Sequence, residues 1–508
     1  MQGIISLPTQ QKAPRLGLVE LPGLKLVDPD GSNRNMCDQY EPLLSKQVLL
    51  AHLQGGGFDA QLVNLRAGNY EEEYDTVTWR GISLSKRYVG QCIDDIDPEA
   101  YDAWGVTNNY VQFQEVAVKV IQHLLKGGKP VVVGGSDAIA APQVYLEAGA
   151  TAIVTDKSGA ANWPIFDYVL GRTPREPLSG VMLADGRQFP MRKPPLSPEE
   201  WPLPSLDVVR QCLGKEFWSD EGEVPLSPVG TVFPDIGCDR KCDFCQTPTY
   251  GTGYRRMSVA KTLKWFELQK QAGARSVICH SDQFLGRVLF KEGRQEVLDI
   301  LQGVRDLGLP YIWGNGLELK KATKGRGYNR HPEDLEPDEE LVEAIWGWNG
   351  RVGCHDAFIP AERPVFGREA YAKLLPWQQH CEMLRAVTRT GIPRIVYGLV
   401  VGFPDDSHES MLRLEEALQD LYEDLKRINP AMTFWILTSA ISPIPGTPQG
   451  DLIRQSGLLR FQDPTIWGSF GLACSDTNHM SYEDVSDWQW RLKQIGDGLW
   501  IKSVPKAG

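Results

Sequence analysis

Cys238-Asp239-Arg240-Lys241-Cys242-Asp243-Phe244-Cys245 places three cysteines at C-x3-C-x2-C spacing, with an aromatic residue before the third. So short a loop can turn three thiolates toward one point, and thiolates are the natural ligands of iron–sulfur clusters. A cubane has four irons. Three cysteines therefore leave one iron with an open position, which a metal site needs if it is to bind a substrate. A structural zinc site would show a fourth Cys or His nearby in a paired spacing. The next such residues, Cys279 and His280, lie more than thirty positions downstream. A disulfide loop is disfavoured by sparse cysteine usage and by an N-terminus without a secretory pattern.

Downstream of the loop, strand and helix patterns alternate. Helices are expected at 258–272, 296–307, 339–346, 378–390 and 409–425, and strands at 276–280, 311–313, 351–354, 394–401 and 433–437, with 232–233 leading into the loop. This order predicts a parallel barrel or partial barrel with its chemistry at the carboxyl ends of the strands. Upstream, strands are expected at 15–21, 58–65, 104–110, 130–135 and 151–155, with helices at 43–53, 116–125 and 143–148 and a loop from 22 to about 36. That alternation reads as a Rossmann-like, doubly wound parallel sheet, whose ligand lies beyond the strand ends. Those ends carry Pro22, Thr107, Asn108, Gly134, Gly135 and Ser136, and glycine there lets a large planar ligand approach the backbone. Residues 189–228 are rich in Pro, Glu, Asp and Ser and read as a linker. The expected organisation is 1–180 as the first domain, 181–228 as linker, 229–450 as the (β/α)6 partial barrel, and 451–508 as a small helical region with Trp467, Trp488, Trp490 and Trp500.

The cysteine loop resembles that of radical S-adenosylmethionine (SAM) enzymes, and Gly398-Leu-Val-Val-Gly402-Phe-Pro404-Asp405 resembles their fifth-strand motif, with Asp405 in the acidic place. The Val-Val-Val-Gly-Gly strand end before it is similar to the cobalamin-binding domain that precedes many such barrels. Ser442-Pro-Ile-Pro-Gly-Thr-Pro448 is similar to a turn that closes the barrel in that subgroup. The resemblance covers about residues 15–450. It implies a [4Fe-4S] cluster on Cys238, Cys242 and Cys245, SAM against Phe244, Asp282, Gln283, Gly402 and Pro404, and cobalamin against the strand-end residues of the first sheet. Gly402 is expected to clear space for the adenine. Two departures stand out. Ser281-Asp282-Gln283 replaces the usual glutamate motif, leaving Asp282 as acceptor for the SAM ammonium. The acidic residue after the fourth strand is not at its usual place, and Asp356 or Glu362 is the substitute. No D-x-H-x-x-G motif is present, so no histidine is expected below cobalt. His52 reads instead as a helix C-terminal residue favourable to the dipole.

The implied activity is C-methylation of an unactivated carbon in a small molecule. The alternatives are cyclisation, ring contraction or oxidation without methyl transfer, polar methylation of an aromatic carbon, and a non-catalytic iron–sulfur or corrinoid carrier. The resemblance also implies an external electron donor of flavodoxin or ferredoxin type.

The 508 residues suggest two or three domains. Their 42% hydrophobic and 23% charged content is that of a globular protein. A net charge of −12 argues against a general nucleic-acid surface. The basic stretch Lys320-Lys321 through Arg330 is read as a solvated loop. No apolar run approaches membrane-spanning length, and the N-terminus shows no basic start before an apolar core, so a cytoplasmic monomer is expected. Of the ten cysteines, the seven outside the loop read mostly as core thiols.

Overall fold

The computed structural model describes residues 12–35, 41–215, 224–328, 331–365, 371–469 and 471–498. Cys37 and Trp500 lie outside them. Strands follow in chain order: β1 Arg15–Glu20, β2 Gly23–Val27, β3 Asp59–Asn64, β4 Tyr70–Trp79, β5 Ile82–Gly90, β6 Ala103–Thr107, β7 Val131–Gly134, β8 Ala152–Val154, β9 Val181–Leu183 and β10 Gln188–Phe189. The second half adds β11 Val229–Val232, β12 Asp235–Ile236, β13 Arg255–Arg256, β14 Ser276–Cys279, β15 Pro310–Trp313, β16 Gly353–Glu362, β17 Arg394–Val401 and β18 Thr433–Ala440.

Period-two alternation builds the first sheet. Val131 and Val133 pack on one face, against Val116, Val120, Ile121 and Tyr145. Val132 packs on the other, against Leu50, Leu53, Ile165 and Phe166. Helices thus cover both faces, as the doubly wound expectation requires. The strand order is β10-β9-β8-β7-β6-β1-β3, parallel from β8 to β3, with β9 and β10 antiparallel at the edge. Those two edge strands fall within the stretch read as linker from residue 181, as does the helix Leu206–Gln211.

The stretch read as a loop to Met36 contains β2. It pairs with β5, and β5 with β4, in a separate antiparallel sheet. Glycine and aspartate made this segment look like loop, while Leu24 and Leu26 on alternate positions are buried. The sheet clamps the C-terminal region. Trp79 Nε1 donates to the Ala473 carbonyl at 3.0 Å, Arg80 pairs with Asp487 at 2.9 Å, and Lys86 Nζ pairs with Asp463 at 2.5 Å. Trp79, Leu84, Trp467 and Leu472 form a core between them. Helix Tyr482–Lys493 also packs on the barrel, where Gln489 Nε2 donates to the Thr438 carbonyl at 3.0 Å.

The second half is an all-parallel sheet of order β11-β14-β15-β16-β17-β18, with no pairing between β18 and β11 among the described residues. It is a six-stranded open barrel. Val277, Cys279, Tyr311 and Trp313 face the surrounding helices, whereas Val229, Ile278 and Ile312 meet Leu226 inside. β16 runs far past the expected 351–354, to Glu362. Gly398 on β17 makes room for the Phe358 ring, whose tip lies 2.4 Å from where a Cβ would stand. No described helix is long and apolar enough to cross a membrane.

Candidate functional site

The cysteine loop is the excursion between β12 and β13, whose antiparallel pairing closes its base. Gly237 turns the chain into it at φ 75°, and a Cβ there would lie 2.0 Å from the Gly253 carbonyl. The Gly237 N–H donates to Asp282 Oδ2 at 2.7 Å. Inside the loop the Arg240 N–H points at Cys238 Sγ, 3.4 Å away, and the Cys245 N–H donates to the Cys242 carbonyl at 3.2 Å. All three thiols are free and half-buried. Burial pushes Cys238 up and Cys242 to about 11, so a metal must displace protons to bind there. Among the described residues, no three Cys, His, Asp or Glu side chains close on a single ion. A cubane spreads its thiolates over three irons, and its ligands stand farther apart than those of one ion.

A buried ionic network supports the loop. Glu318, 4% exposed, receives Arg240 Nε at 3.1 Å, Lys321 Nζ at 3.0 Å and Gln283 Nε2 at 3.0 Å. Lys321 is fully buried and also pairs with Asp239. This corrects the reading of the basic stretch as solvated. Lys321 is drawn inward because two carboxylates meet there, and its spacing from Glu318 across one turn was the available signal. Gln283, assigned to SAM by the resemblance, turns its amide to Glu318 and toward Cys238 Sγ at 3.9 Å.

Phe244 meets Tyr371 edge-on at 5.1 Å, and Tyr371 meets Phe403 at 6.3 Å. The cysteine loop is thereby brought against the Gly402–Pro404 turn. The acidic residue of that turn is Asp406. Buried at 1% exposure, it accepts from the Gly402 and Phe403 N–H groups at 2.8 and 3.0 Å and pairs with Arg363 at 2.8 Å. Asp405, the expected partner, is exposed. The missing Cβ of Gly402 accommodates Val485 of the C-terminal helix, 2.9 Å from where it would stand. The side-chain face of this glycine is therefore a packing surface, where clearance for an adenine had been expected. Pro404 is half-buried and its carbonyl accepts from Asn478.

The extension of β16 brings Glu362 to its end at φ 58°, where Glu362 Oε1 accepts from Lys373 Nζ at 2.6 Å. Lys373 also stands over the Phe244 ring at 5.6 Å. Burial lowers its pKa, but Glu362 and the Cys242 thiol outweigh that and raise it. Asp356, the other candidate, is buried far below, paired with Arg394 at 3.2 Å.

In the first sheet, Thr107 and Gly134 are register partners, and the Asn108 N–H donates to the Gly134 carbonyl at 2.9 Å. Asn108 Nδ2 donates to the Tyr145 hydroxyl at 2.7 Å. Gly135 has φ 103°, and a Cβ would lie 2.1 Å from the Asn108 carbonyl. Thr107, Asn108, Gly134, Gly135 and Ser136 thus form one ledge. Pro22 is buried in the step from β1 to β2, just past the end of β1, which pairs with β6. His52 has its ring near Trp163 and Trp201 and beside Gly159, two residues past Lys157. Burial, with Lys261 adding, lowers its pKa to about 4, so it carries no charge to favour the helix dipole.

The two ledges face each other. Lys157, just beyond β8, donates to Ser136 Oγ at 2.8 Å and stands 5.3 Å over the Tyr250 ring, which follows the cysteine loop. Burial lowers the pKa of Lys157 and raises that of Asp282, each partly offset by the other. Gln246 Nε2 donates to the Pro445 carbonyl at 2.9 Å, and the next residue, Gly446, meets Ala140 of the helix Ser136–Ala140. Neither Lys157 nor Tyr250 belonged to a recognised motif, and their position beyond a strand and beyond a loop was the only sequence signal.

These residues fit the groups that the resemblance implies. Three free thiols sit on a loop with a charged support, and a ledge whose glycine admits no Cβ faces them across the domain boundary.

No family model matches the chain. A curated relative, the tRNA-2-methylthio-N(6)-dimethylallyladenosine synthase of Sulfurihydrogenibium sp. (strain YO3AOP1), is 22% identical over 226 residues, 42% of this chain and 44% of that protein. Among solved structures, the cobalamin-dependent SAM radical enzyme OxsB, with aqua-cobalamin and SAM bound, superposes with TM-score 0.64 at 16% identity. The match covers 94% of this chain and 66% of that one, so the chain spans under two thirds of OxsB. The radical SAM methyltransferase TsrM from Kitasatospora setae, with cobalamin and a [4Fe-4S] cluster bound, gives TM-score 0.60 at 14% identity, over 94% of this chain and 91% of that one. A Rossmann-like sheet set strand-end to strand-end against an open six-stranded barrel is the shared architecture, and the chain has the fold of the cobalamin-dependent radical SAM enzymes.

Proposed function

We propose that this protein is a cobalamin-dependent radical SAM enzyme that transfers a methyl group to an unactivated carbon of a small molecule. The observation that carries the reading is the facing of the two ledges through Lys157, Ser136 and Tyr250. Cys238, Cys242 and Cys245 would hold the cluster, and Thr107, Asn108 and Gly134 to Ser136 would meet the corrin. When bound, these groups and SAM supply hydrogen abstraction and a transferable methyl group.

The chain's own residues position and enclose. Asp282 fixes the base of the cysteine loop through Gly237 and offers its second oxygen to an ammonium. Lys373 and Glu362 present a cation and an anion beside Cys242, suited to the carboxylate and hydroxyls of SAM. Phe244, Tyr371 and Phe403 form the apolar wall between them. Tyr250 and Lys157 close the boundary between the domains, which keeps water from the space between the ledges. TsrM, matched over 94% of this chain and 91% of its own, is a methyltransferase, which favours methyl transfer over cyclisation, ring contraction or oxidation.

The test is reconstitution with iron, sulfide and hydroxocobalamin, followed by turnover of SAM with candidate substrates. Bound cobalamin and formation of both 5′-deoxyadenosine and S-adenosylhomocysteine are expected. A protein that binds no cobalamin, or forms 5′-deoxyadenosine without S-adenosylhomocysteine, would refute methyl transfer.

A further inference from the structure

We propose that His280 is a substrate-recognition residue, whose Nε2 lone pair accepts a hydrogen bond from a hydroxyl or ring N–H of the molecule held in the barrel. His280 follows the C-terminal end of β14 directly. Ile278, two residues earlier and so on the same face, packs inside the barrel with Val229 and Ile312, while Val277 and Cys279 face outward. The imidazole therefore stands in the lumen above an apolar floor. Gly314, at the end of β15, leaves it room: a Cβ there would lie 2.8 Å from Ile278 Cγ2 and 3.1 Å from His280 Cε1.

The neighbouring amide fixes the tautomer. Asn315 Nδ2 donates to the Ser281 carbonyl at 3.3 Å, so its Oδ1 is the atom that faces His280 Nδ1, 2.9 Å away. A carbonyl oxygen only accepts, so Nδ1 carries the proton and Nε2 keeps its lone pair. Among the described residues nothing hydrogen-bonds Nε2, and the ring is only half-buried. Burial, partly offset by Asn315, lowers the pKa and favours the neutral form. Phe358, half-buried and inserted between Gly316 and Gly398, adds an apolar wall. One acceptor among apolar walls suits an apolar or aromatic body that carries one donor. A site built around such a donor discriminates strongly against an analogue that lacks it. The inference rests on the proposed reading of the barrel mouth as the substrate site, and is independent of which group is transferred.

Phenol and anisole share a ring and differ by the donor O–H. The reconstituted full-length enzyme is treated briefly with diethyl pyrocarbonate, which acylates neutral accessible imidazole, and each histidine is read by mass spectrometry. Acylation at His280 is expected, with phenol protecting about tenfold more effectively than anisole. Equilibrium dialysis should show phenol retained by His280→Gln, which keeps an acceptor, and bound about tenfold more weakly by His280→Phe. An unmodified His280, equal protection by both probes, or no protection by either overturns the proposal. Release of 5′-deoxyadenosine is followed in the same preparations. A protein that discriminates the probes but leaves SAM intact keeps this inference and loses the cofactor reading, and the converse result does the reverse.

Discussion

The two ledges that face each other across the domain boundary are built from different materials. The barrel side is charged around the cysteines: Glu318, Lys321, Arg240 and Asp239 interlock behind them, and Glu362 with Lys373 stands beside them. The sheet side is backbone and amide, with Asn108, Gly134 and Gly135 joined by main-chain bonds and Lys157 the cation that reaches across from it. The difference matches what each would hold. Thiolates and a zwitterion need countercharges fixed in advance, whereas a broad corrin needs close backbone approach and little side chain.

Breaking the charged side at its centre gives the largest effect. Cys242→Ala should abolish cluster retention, read as iron content, and with it all 5′-deoxyadenosine release, while cobalamin binding to the opposite ledge persists. Loss of both cofactors together would mean that the ledges are not separable. Next is Glu318→Leu, which removes the buried carboxylate from Arg240 and from the fully buried Lys321 and leaves the two cations to share Asp239. Removing one partner of a buried ionic group costs about 3–5 kcal/mol, measurable as a fall in the denaturant midpoint.

The sheet side should respond to geometry instead. Gly135→Ala forces a Cβ into the Asn108 carbonyl at φ 103°. A cost of about 1–3 kcal/mol is expected, with weakened retention of cobalamin read from its visible absorption and no change in iron content. A variant that keeps cobalamin at wild-type affinity would remove this glycine from the site.

Legibility in the sequence followed the same division. The doubly wound sheet and the barrel were readable because hydrophobic periods of two and 3.6 are local, as Val131 to Val133 illustrate. The three cysteines and the Gly134-Gly135 strand end were readable because each is a short contiguous signal. Three things were not. β2, β4 and β5 form a sheet whose β4 is mostly polar, and its stability comes from distant partners such as Ala473 and Asp463. The charged support needs Asp239, Gln283 and Glu318 to meet across three loops. The substitution of Asp406 for Asp405 depends on which of two adjacent carboxylates the turn points inward, and the Gly402 and Phe403 N–H groups decide that after folding.

His52 sharpens the contrast with the smallest signal, because it tests a histidine of the sheet side that carries no charge. Its folded pKa of about 4 lies below the ordinary 6.5, through burial first and Lys261 second. Between those values the unfolded chain holds a proton that the folded chain does not, so unfolding takes up a proton and stability rises with pH. The contribution is complete above about 6.5 and is lost as pH falls toward 4. Relative to His52→Leu, the wild type should therefore gain up to about 1.4 kcal/mol per pH unit across that window, read from denaturant midpoints on the full chain. Cobalamin retention should be equal in the two proteins at pH 7.5. A difference in retention there would place His52 beside the corrin, whereas parallel stability curves would show that its imidazole is solvated in the folded state.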